Sequence, residues 1–190
     1  MGIADLYSQP RRTDPVVSFE FFPPKTDAGY RSLFRTIKEL KGLSPGFISV
    51  TMGAGGSTRS MTVDLTIKIK RELGLETMCH LPCTGFRPDE VSQILDQLDA
   101  GGVHNVLALR GDPPADDPDF EPPTDGFQYA NELVEYIARR KGFSIGAACC
   151  PEVHPEAADA ETDLANLKRK VDSGTNFLVS QLFLDNGLFF

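Results

Sequence analysis

The run Val16-Val17-Ser18-Phe19-Glu20-Phe21-Phe22-Pro23-Pro24 is the most apolar strand-like stretch of this chain, and a carboxylate lies at its centre. Side chains alternate between the two faces of a strand, so Glu20 shares a face with Ser18 while Phe19 and Phe21 share the opposite face. The two prolines predict that the strand ends there, which places Glu20 near its carboxyl end. Parallel sheets and barrels carry their active sites at that end.

A glutamate among aromatic side chains is costly, because the carboxylate loses its hydration unless it is paired or keeps its proton. Such a group at a strand end is typical of an active site. On Glu20 alone, the alternative of a structural glutamate or an edge-strand charge stays open.

Five further apolar runs follow, and helix-like segments separate them. The helices are marked by apolar residues three and four positions apart, as in Val91, Ile94, Leu95 and Leu98, with Gly101-Gly102 at the C-terminal end. This alternation predicts repeated strand–helix units. The predicted strands are 16–22, 46–51, 75–81, 103–109, 143–149 and 176–183.

The apolar pattern of segment 61–69 fits both a strand and a helix. Its apolar residues alternate with a period of two, which indicates a strand, but pairs such as Met61 and Leu65 are four residues apart, which indicates a helix. Because parallel strands need a crossover connection, we predict a helix here.

Six strand–helix units predict an α/β fold with a parallel sheet, either doubly wound or closed as a (β/α)8 TIM barrel. A barrel needs eight strands and typically about 250 residues, whereas this chain has 190 residues. We therefore expect an N-terminal extension at 1–15 and an incomplete barrel at 16–190. An incomplete barrel leaves its last strand as an unpaired edge and leaves apolar helix-facing surface uncovered.

The composition narrows the class of protein. The formal net charge of −8 argues against sequence-independent nucleic-acid binding, and no run approaches the roughly 18 apolar residues of a membrane span. The four cysteines Cys79, Cys83, Cys149 and Cys150 are too few for a disulfide scaffold and indicate reduced thiols in a cytoplasmic protein.

Polar residues lie at or just after the end of each predicted strand. Since the carboxyl ends of parallel strands meet at one edge, we expect these groups on one rim. They are Glu20, Thr51, His80, Arg110-Gly111-Asp112, the run from Pro151 to Glu156, and Gln181. A metal site is disfavoured, because the spacing of Cys79, His80, Cys83 and His154 matches no zinc-binding pattern.

Four polar residues share roughly one face of the last predicted helix: Asp163, Asn166, Arg169 and Lys170. Their spacing alone favours a solvated, salt-bridged surface. The functional alternative is a polar clamp, in which the two cations bind a pyrophosphate while the carboxylate and the amide bind a ribose.

Five motifs together resemble the methylenetetrahydrofolate reductase family, in a match that runs in order from about Val16 to Asp185. They are Ser18-Phe19-Glu20-Phe21-Phe22-Pro23-Pro24-Lys25, Ser49-Val50-Thr51, Leu107-Ala108-Leu109-Arg110-Gly111-Asp112, Pro151-Glu152-Val153-His154-Pro155-Glu156 and Leu167-Lys168-Arg169-Lys170-Val171-Asp172. The resemblance implies a barrel enzyme that reduces 5,10-methylenetetrahydrofolate to 5-methyltetrahydrofolate. It implies FAD as cofactor, NADH or NADPH as co-substrate and a folate substrate, and it leaves a homo-oligomer open.

By position, the resemblance makes Glu20 the general acid that protonates the departing nitrogen when the folate ring opens. A carboxyl held among Phe19, Phe21 and Phe22 suits this role, because lost hydration favours its protonated form. Asp112 resembles the carboxylate near the flavin and the folate.

The resemblance also implies binding residues. Gln181 resembles the amide that hydrogen-bonds the pterin. Cys150 departs from the pattern, since relatives often carry a tyrosine against the cofactor there. The residues that resemble FAD contacts are Thr51, His80, Arg110, Gly111, Asp112, Tyr129, Ala130, His154, Asp163, Asn166, Arg169 and Lys170.

Two other functions stay open on the sequence. One is a flavin-free barrel lyase or aldolase that uses Glu20 and Asp112 as acid and base on a phosphorylated substrate. The other is a truncated barrel that binds flavin without turnover. The short length further predicts that the 190-residue chain has weak activity or none.

Overall fold

The computed structural model describes residues 2–8, 14–56, 58–114, 117 and 119–189. Its centre is a six-stranded sheet in the order β1-β2-β3-β4-β5-β6, and every neighbouring pair is parallel. The six predicted strands are therefore confirmed, with slightly different ends. They are Ser18–Phe21 (β1), Phe47–Val50 (β2), Thr77–Pro82 (β3), Asn105–Leu109 (β4), Ser144–Cys149 (β5) and Phe177–Ser180 (β6).

Each helix from the second onward connects two consecutive strands. The segment 61–69 is helical as predicted, and a wider helical turn at Ile69–Leu73 follows it. The helices are Ile3–Tyr7 (α1), Asp27–Leu40 (α2), Arg59–Lys68 (α3), Pro88–Ala100 (α4), Ala130–Arg140 (α5) and Ala160–Asp172 (α6), with short 3-10 turns at Lys41–Leu43, Ala54–Gly56 and Asn186–Leu188. No helix among the described residues is both long enough and apolar enough to cross a membrane.

Side chains just before the helices fix where several of them begin. Thr26 Oγ1 accepts a hydrogen bond from the backbone N–H of Gly29 (3.1 Å), and Asp159 Oδ1 accepts one from Thr162 (2.7 Å). Both are N-caps, which satisfy backbone donors that the first helical turn leaves unpaired. Pro88 starts α4, where its missing N–H costs nothing.

The main core lies between the sheet and its helices. Alternate strand residues such as Leu81 and Val106 point toward the helices and pack against Ile94, Leu98 and Leu133 of α4 and α5. A second cluster joins Ile48 and Val50 of β2 to residues of α2 and α3. The parallel strands are thereby covered on their outer face, as this type of sheet requires.

Helix α1 covers part of the other, inner face. Ile3 and Leu6 are buried against Phe47, Met78 and Leu107, which come from three neighbouring strands. The backbone N–H of Ile3 also donates to Oδ1 of Asn105 (2.7 Å). This part of the predicted N-terminal extension therefore packs inside the sheet's curve.

The sheet is open within the described residues, as expected for an incomplete barrel. Strand β6 pairs with β5 alone, and its Leu178 and Val179 are exposed. The apolar stripe of α6 is not buried as such a stripe normally is: Leu164 is 67% exposed, and α6 has no buried residue. An apolar stripe shows which face is able to be covered, but not that anything covers it.

Candidate functional site

The carboxyl ends of the six parallel strands lie at one edge of the sheet, so the predicted polar rim exists. The strand register sets neighbours on the inner face. Glu20 lies beside Ser49, and Thr51, one residue beyond the Val50–Cys79 pair, lies beside His80. Gln181 follows β6, which is the edge strand on the opposite side of the sheet from β1, the strand of Glu20.

Glu20 contacts two polar groups from the adjacent strands. Its Oε2 is 3.5 Å from Ser49 Oγ, which donates to it, and 3.5 Å from His80 Nε2. The expected burial of Glu20 among aromatic side chains is wrong, because its side chain is 53% exposed. Phe19 and Phe21 pack on the helix-facing side, and β1 is an edge strand of the sheet.

His80 is deeply buried, with its side chain only 8% exposed. Burial lowers the pKa of His80 from 6.5 to about 4, so the ring is neutral at neutral pH and its contact with Glu20 is not an ion pair. Nε2 of His80 and Oγ1 of Thr51 are buried and lack a hydrogen-bond partner within the described structure. Two such atoms side by side indicate a place where another polar group belongs.

Hydroxyl groups fix the glycine-rich loop after Thr51. Thr62 of α3 donates to the backbone oxygen of Thr51 (2.9 Å), and Thr58 Oγ1 lies 3.1 Å from Thr62 Oγ1. Thr58 in turn accepts from the backbone N–H of Gly53 (2.8 Å). The end of β2 is therefore tied to the start of α3.

The loop after β4 is held close to the end of β3. Gly111 has a φ of +79°, and a Cβ there would lie 2.6 Å from Cβ of Pro82. The backbone N–H of Thr84 donates to the oxygen of Arg110 (2.8 Å). Only glycine fits this position without strain, and the loop carries the exposed Asp112 at the rim.

Arg110 forms a two-pronged ion pair with Glu156, in which one Nη–Oε distance is 2.6 Å. This hydrogen bonding raises the pKa of Arg110 and lowers the pKa of Glu156. The contact joins the loops that follow β4 and β5. In this structure the predicted cofactor contact Arg110 thus already has an anionic partner.

The residues of the predicted clamp make separate contacts. Asp163 Oδ2 accepts from the backbone N–H of His154 (3.2 Å), and Arg169 donates to Oδ1 of Asn166 (3.0 Å). Lys170 Nζ donates to the backbone oxygen of Ala148 in β5 (2.8 Å), and burial lowers the pKa of Lys170. Arg169 instead lines a groove between α5 and α6.

The remaining predicted residues lie around the rim. Tyr129 is exposed just before α5, and Ala130 is the buried first residue of that helix. Glu132 Oε2 accepts from the backbone N–H of Tyr129 (3.2 Å), which shapes this turn. Gln181 is exposed, while its backbone N–H donates to the oxygen of Cys149 (2.8 Å).

Two contacts of the site are not among the predictions from the sequence. Ser49 contacts Glu20, and strand alternation signals it, since Ser49 shares a face with Thr51. Glu156 pairs with Arg110, but no local pattern predicts a contact across 46 residues. Within the described residues, no group of three or more His, Cys, Asp or Glu side chains is arranged to hold a metal ion.

Solved structures with a similar fold support the (β/α)8 TIM-barrel class, of which this chain forms a six-stranded part. Oxaloacetate acetylhydrolase gives a TM-score of 0.58 at 12% identity, covering 92% of this chain and 60% of that chain. A mandelate racemase/muconate lactonizing enzyme from Roseiflexus sp. gives 0.56 at 12% identity, covering 89% and 49%. At this identity the likeness concerns the fold alone.

Other known proteins are much more similar to this chain in sequence than these solved structures are. The 5,10-methylenetetrahydrofolate reductase of Escherichia coli (strain K12) is 43% identical over 169 residues, covering 89% of this chain and 55% of the relative. Methylenetetrahydrofolate reductase (NADH) 1 of Zea mays is 40% identical over 183 residues, covering 90% of this chain and 31% of the relative. The chain thus spans about a third to about half of the length of these relatives. A family model described as methylenetetrahydrofolate reductase matches residues 6–190, and the chain belongs to that family.

Proposed function

We propose that this chain forms the flavin-binding and acid-bearing part of an enzyme that reduces 5,10-methylenetetrahydrofolate to 5-methyltetrahydrofolate with NADH or NADPH. The observation that carries the proposal is the position of Glu20 on the inner face, next to polar atoms of Thr51 and His80 that have no hydrogen-bond partner among the described residues. The names of the relatives from E. coli and maize support the choice of reaction.

The residues present fit a flavin dinucleotide. Among the described residues, Oγ1 of Thr51 at the rim has no hydrogen-bond partner, which supports a polar group of the cofactor beside it. Lys170 supplies a cation for the pyrophosphate, Arg169 supplies a second one once its side chain turns out of the groove between α5 and α6, and Asp163 and Asn166 supply polar groups for a ribose. When bound, the flavin supplies hydride transfer.

The wider set of flavin contacts follows the rim. We propose that the loops after β3, β4 and β5 and the start of α5 contribute the rest of the surface against which the cofactor lies. These residues are His80, Arg110, Gly111, Asp112, Tyr129, Ala130 and His154.

The chemistry of the chain itself centres on proton transfer. Glu20 holds the proton that the departing nitrogen of the folate ring takes when the ring opens. Its half-exposed position at the edge of the sheet leaves room for a substrate to reach it. Asp112 places a negative charge at the rim, and Gln181, which follows the last strand β6, hydrogen-bonds the pterin.

The two half-reactions test this function. Purified chain is mixed with FAD, and bound flavin is followed by its visible absorbance while NADH, and then methylenetetrahydrofolate, is added. We expect Glu20→Gln to abolish flavin reoxidation by the folate while flavin reduction by NADH continues. Glu39→Gln, which alters an exposed glutamate of α2, serves as the control.

Three outcomes are distinguishable, and folate reduction that depends on Glu20 supports the proposal. A chain that binds no flavin contradicts the proposal. A chain that binds flavin, but transfers no electrons to the folate, is a non-catalytic flavin-binding fragment. Because the chain spans 55% or less of the two relatives described above, we expect turnover below that of a full-length reductase.

A further inference from the structure

Glu156, in the loop after β5, makes two kinds of contact at the rim of the sheet. Its carboxylate accepts hydrogen bonds from both Nη groups of Arg110 in the loop after β4, and one of these Nη–Oε distances is 2.6 Å. Its backbone N–H donates to Nδ1 of His154 at 3.2 Å. Arg110 and His154 are both among the proposed flavin contacts, whereas Glu156 is not one of them.

The backbone of Arg110 is held in place independently of Glu156. Its carbonyl oxygen accepts hydrogen bonds from the backbone N–H groups of Thr84 (2.8 Å) and Cys83 (3.2 Å), which belong to the loop after β3. The long side chain of an arginine has many rotamers, so a fixed backbone does not by itself fix the guanidinium. A two-pronged contact with a carboxylate selects one orientation of that planar group.

The ring of His154 is oriented by the same loop. Since its Nδ1 accepts from the N–H of Glu156, the neutral ring carries its proton on Nε2, where it is a donor. The backbone N–H of His154 in turn donates to Oδ2 of Asp163 in the first turn of α6 (3.2 Å). Glu156 therefore lies within a hydrogen-bonded chain that runs from the loop after β3 to α6.

The exposure of the ion pair indicates what it does. The side chains of Arg110 and Glu156 are 36% and 60% exposed. An exposed ion pair contributes little to the free energy of unfolding, because solvent and salt screen it. Two parallel hydrogen bonds still fix the direction of the guanidinium. Each Nη group also carries a second N–H, so Arg110 can donate to a ligand while it is paired with Glu156.

We propose that Glu156 is a positioning residue of the flavin site. Its carboxylate holds the guanidinium of Arg110, so that the loops after β4 and β5 present Arg110 and His154 to the cofactor as one unit. This inference rests on the proposed function, because it concerns how the flavin is bound. It also explains an acidic side chain beside an anionic cofactor: the charge of Glu156 repels a pyrophosphate, but an arginine that is already ordered loses less entropy on binding.

Titration of the chain with FAD, followed by the visible absorbance of the flavin, tests the inference. We expect Glu156→Gln to weaken FAD binding by about fivefold or more, because an amide has a single acceptor oxygen. Glu156→Asp keeps both oxygens and should recover part of the affinity. Charge alone predicts the reverse, since the loss of a negative charge favours an anionic ligand. Unchanged or tighter binding by Glu156→Gln therefore overturns the inference.

The matched control is Asp96→Asn. Asp96 forms an ion pair with Arg140 that joins α4 to α5, so this variant loses the same charge and the same kind of contact away from the rim. We expect its affinity for FAD to equal that of the wild type. A loss as large as that of Glu156→Gln would show a general effect of broken ion pairs and would overturn the inference.

A double-mutant cycle shows whether Glu156 acts through Arg110. In the Arg110→Gln background we expect Glu156→Gln to weaken FAD binding by less than about twofold, because the side chain that it positions is gone. The full loss in that background overturns the inference. FAD binding that does not depend on Glu156 leaves the proposed function standing and removes the inference, whereas a chain that binds no FAD loses both.

NMR of the guanidinium nitrogens gives a signature in the chain without FAD. A guanidinium held by two oxygens rotates slowly about its Nε–Cζ bond, so its two Nη groups give separate signals. We expect separate Nη signals for Arg110 in the wild type, assigned by their loss in Arg110→Gln, and one averaged signal in Glu156→Gln. An averaged signal in the wild type overturns the inference, even if the variants do not fold.

Discussion

The strands β2 and β3 differ sharply from β6 and α6, although all belong to one sheet. Every residue of β2 and β3 is buried, because α2 to α5 cover the outer face and α1 covers part of the inner face. No residue of β6 or α6 is buried. The comparison shows that a strand becomes core only when both of its faces are covered, whatever its own apolar content.

The proposed site lies across two regions, the covered region around β2 and β3 and the exposed region of β6 and α6. Thr51 and His80 belong to the covered region, whereas Asp163, Asn166 and Lys170 belong to the exposed one. Segments with few buried contacts open with a lower free energy than the core does. We therefore expect cofactor binding to join a rigid surface to a loosely held one.

The largest expected effect comes from removing a buried side chain. Leu98→Ala in α4 leaves a cavity in the main core and should lower the free energy of unfolding by about 2–5 kcal/mol. Leu164→Ala in α6 makes the same chemical change at an exposed position and should change it by about 0.5 kcal/mol or less. Urea unfolding of both variants measures the difference. Equal losses would show that α6 is as well packed as α4.

A smaller effect concerns acid stability. The folded chain keeps His80 neutral down to about pH 4, whereas the unfolded chain protonates it near pH 6.5. As the pH falls through this window, the unfolded state binds the extra proton, so stability is lost. Between pH 6.5 and 5 the loss should be roughly 2 kcal/mol.

This loss should be absent in His80→Gln. The measurement is urea unfolding of the wild type and the variant at several pH values, with His104→Gln as the control for the loss of an exposed histidine. A pH dependence that is the same in the wild type and in His80→Gln would show that His80 is not held neutral by the covered region.

The smallest effect compares two glycines. Gly111→Ala forces a side chain into a left-handed backbone conformation and against Pro82, so we expect a loss of about 1–2 kcal/mol. Gly42→Ala has open space around it and should be neutral or slightly stabilising. Thermal unfolding of the two variants checks this. Similar midpoints would show that the loop after β4 is not tied to β3.

Much of the fold is predictable from the sequence for physical reasons. Apolar periodicity marks the strands and helices, and the need for a crossover resolves the ambiguous segment 61–69 as a helix. The exposure of Glu20 and Leu164 is not predictable in this way. Periodicity shows which side chains share a face, but the neighbours that cover that face come from elsewhere in the chain.

The same limit applies to the functional site: the sequence shows which side chains share a face, but not which loops meet. Strand alternation places Glu20, Ser49 and Thr51 on one face, and parallel pairing places His80 next to them. The pairing of Arg110 with Glu156 depends on how two loops meet, and no local pattern encodes it. The packing of helix α1 on the inner face of the sheet was not predicted, because its five residues are too few for a periodic signal.

Hydrogen–deuterium exchange of the chain with and without FAD directly tests whether the cofactor joins the two regions. We expect FAD to slow amide exchange in α6 by about tenfold or more, because binding orders the loosely held region, and to leave the already protected β3 nearly unchanged. Bound FAD that leaves exchange in α6 unaltered would contradict the claim that the cofactor joins the two regions.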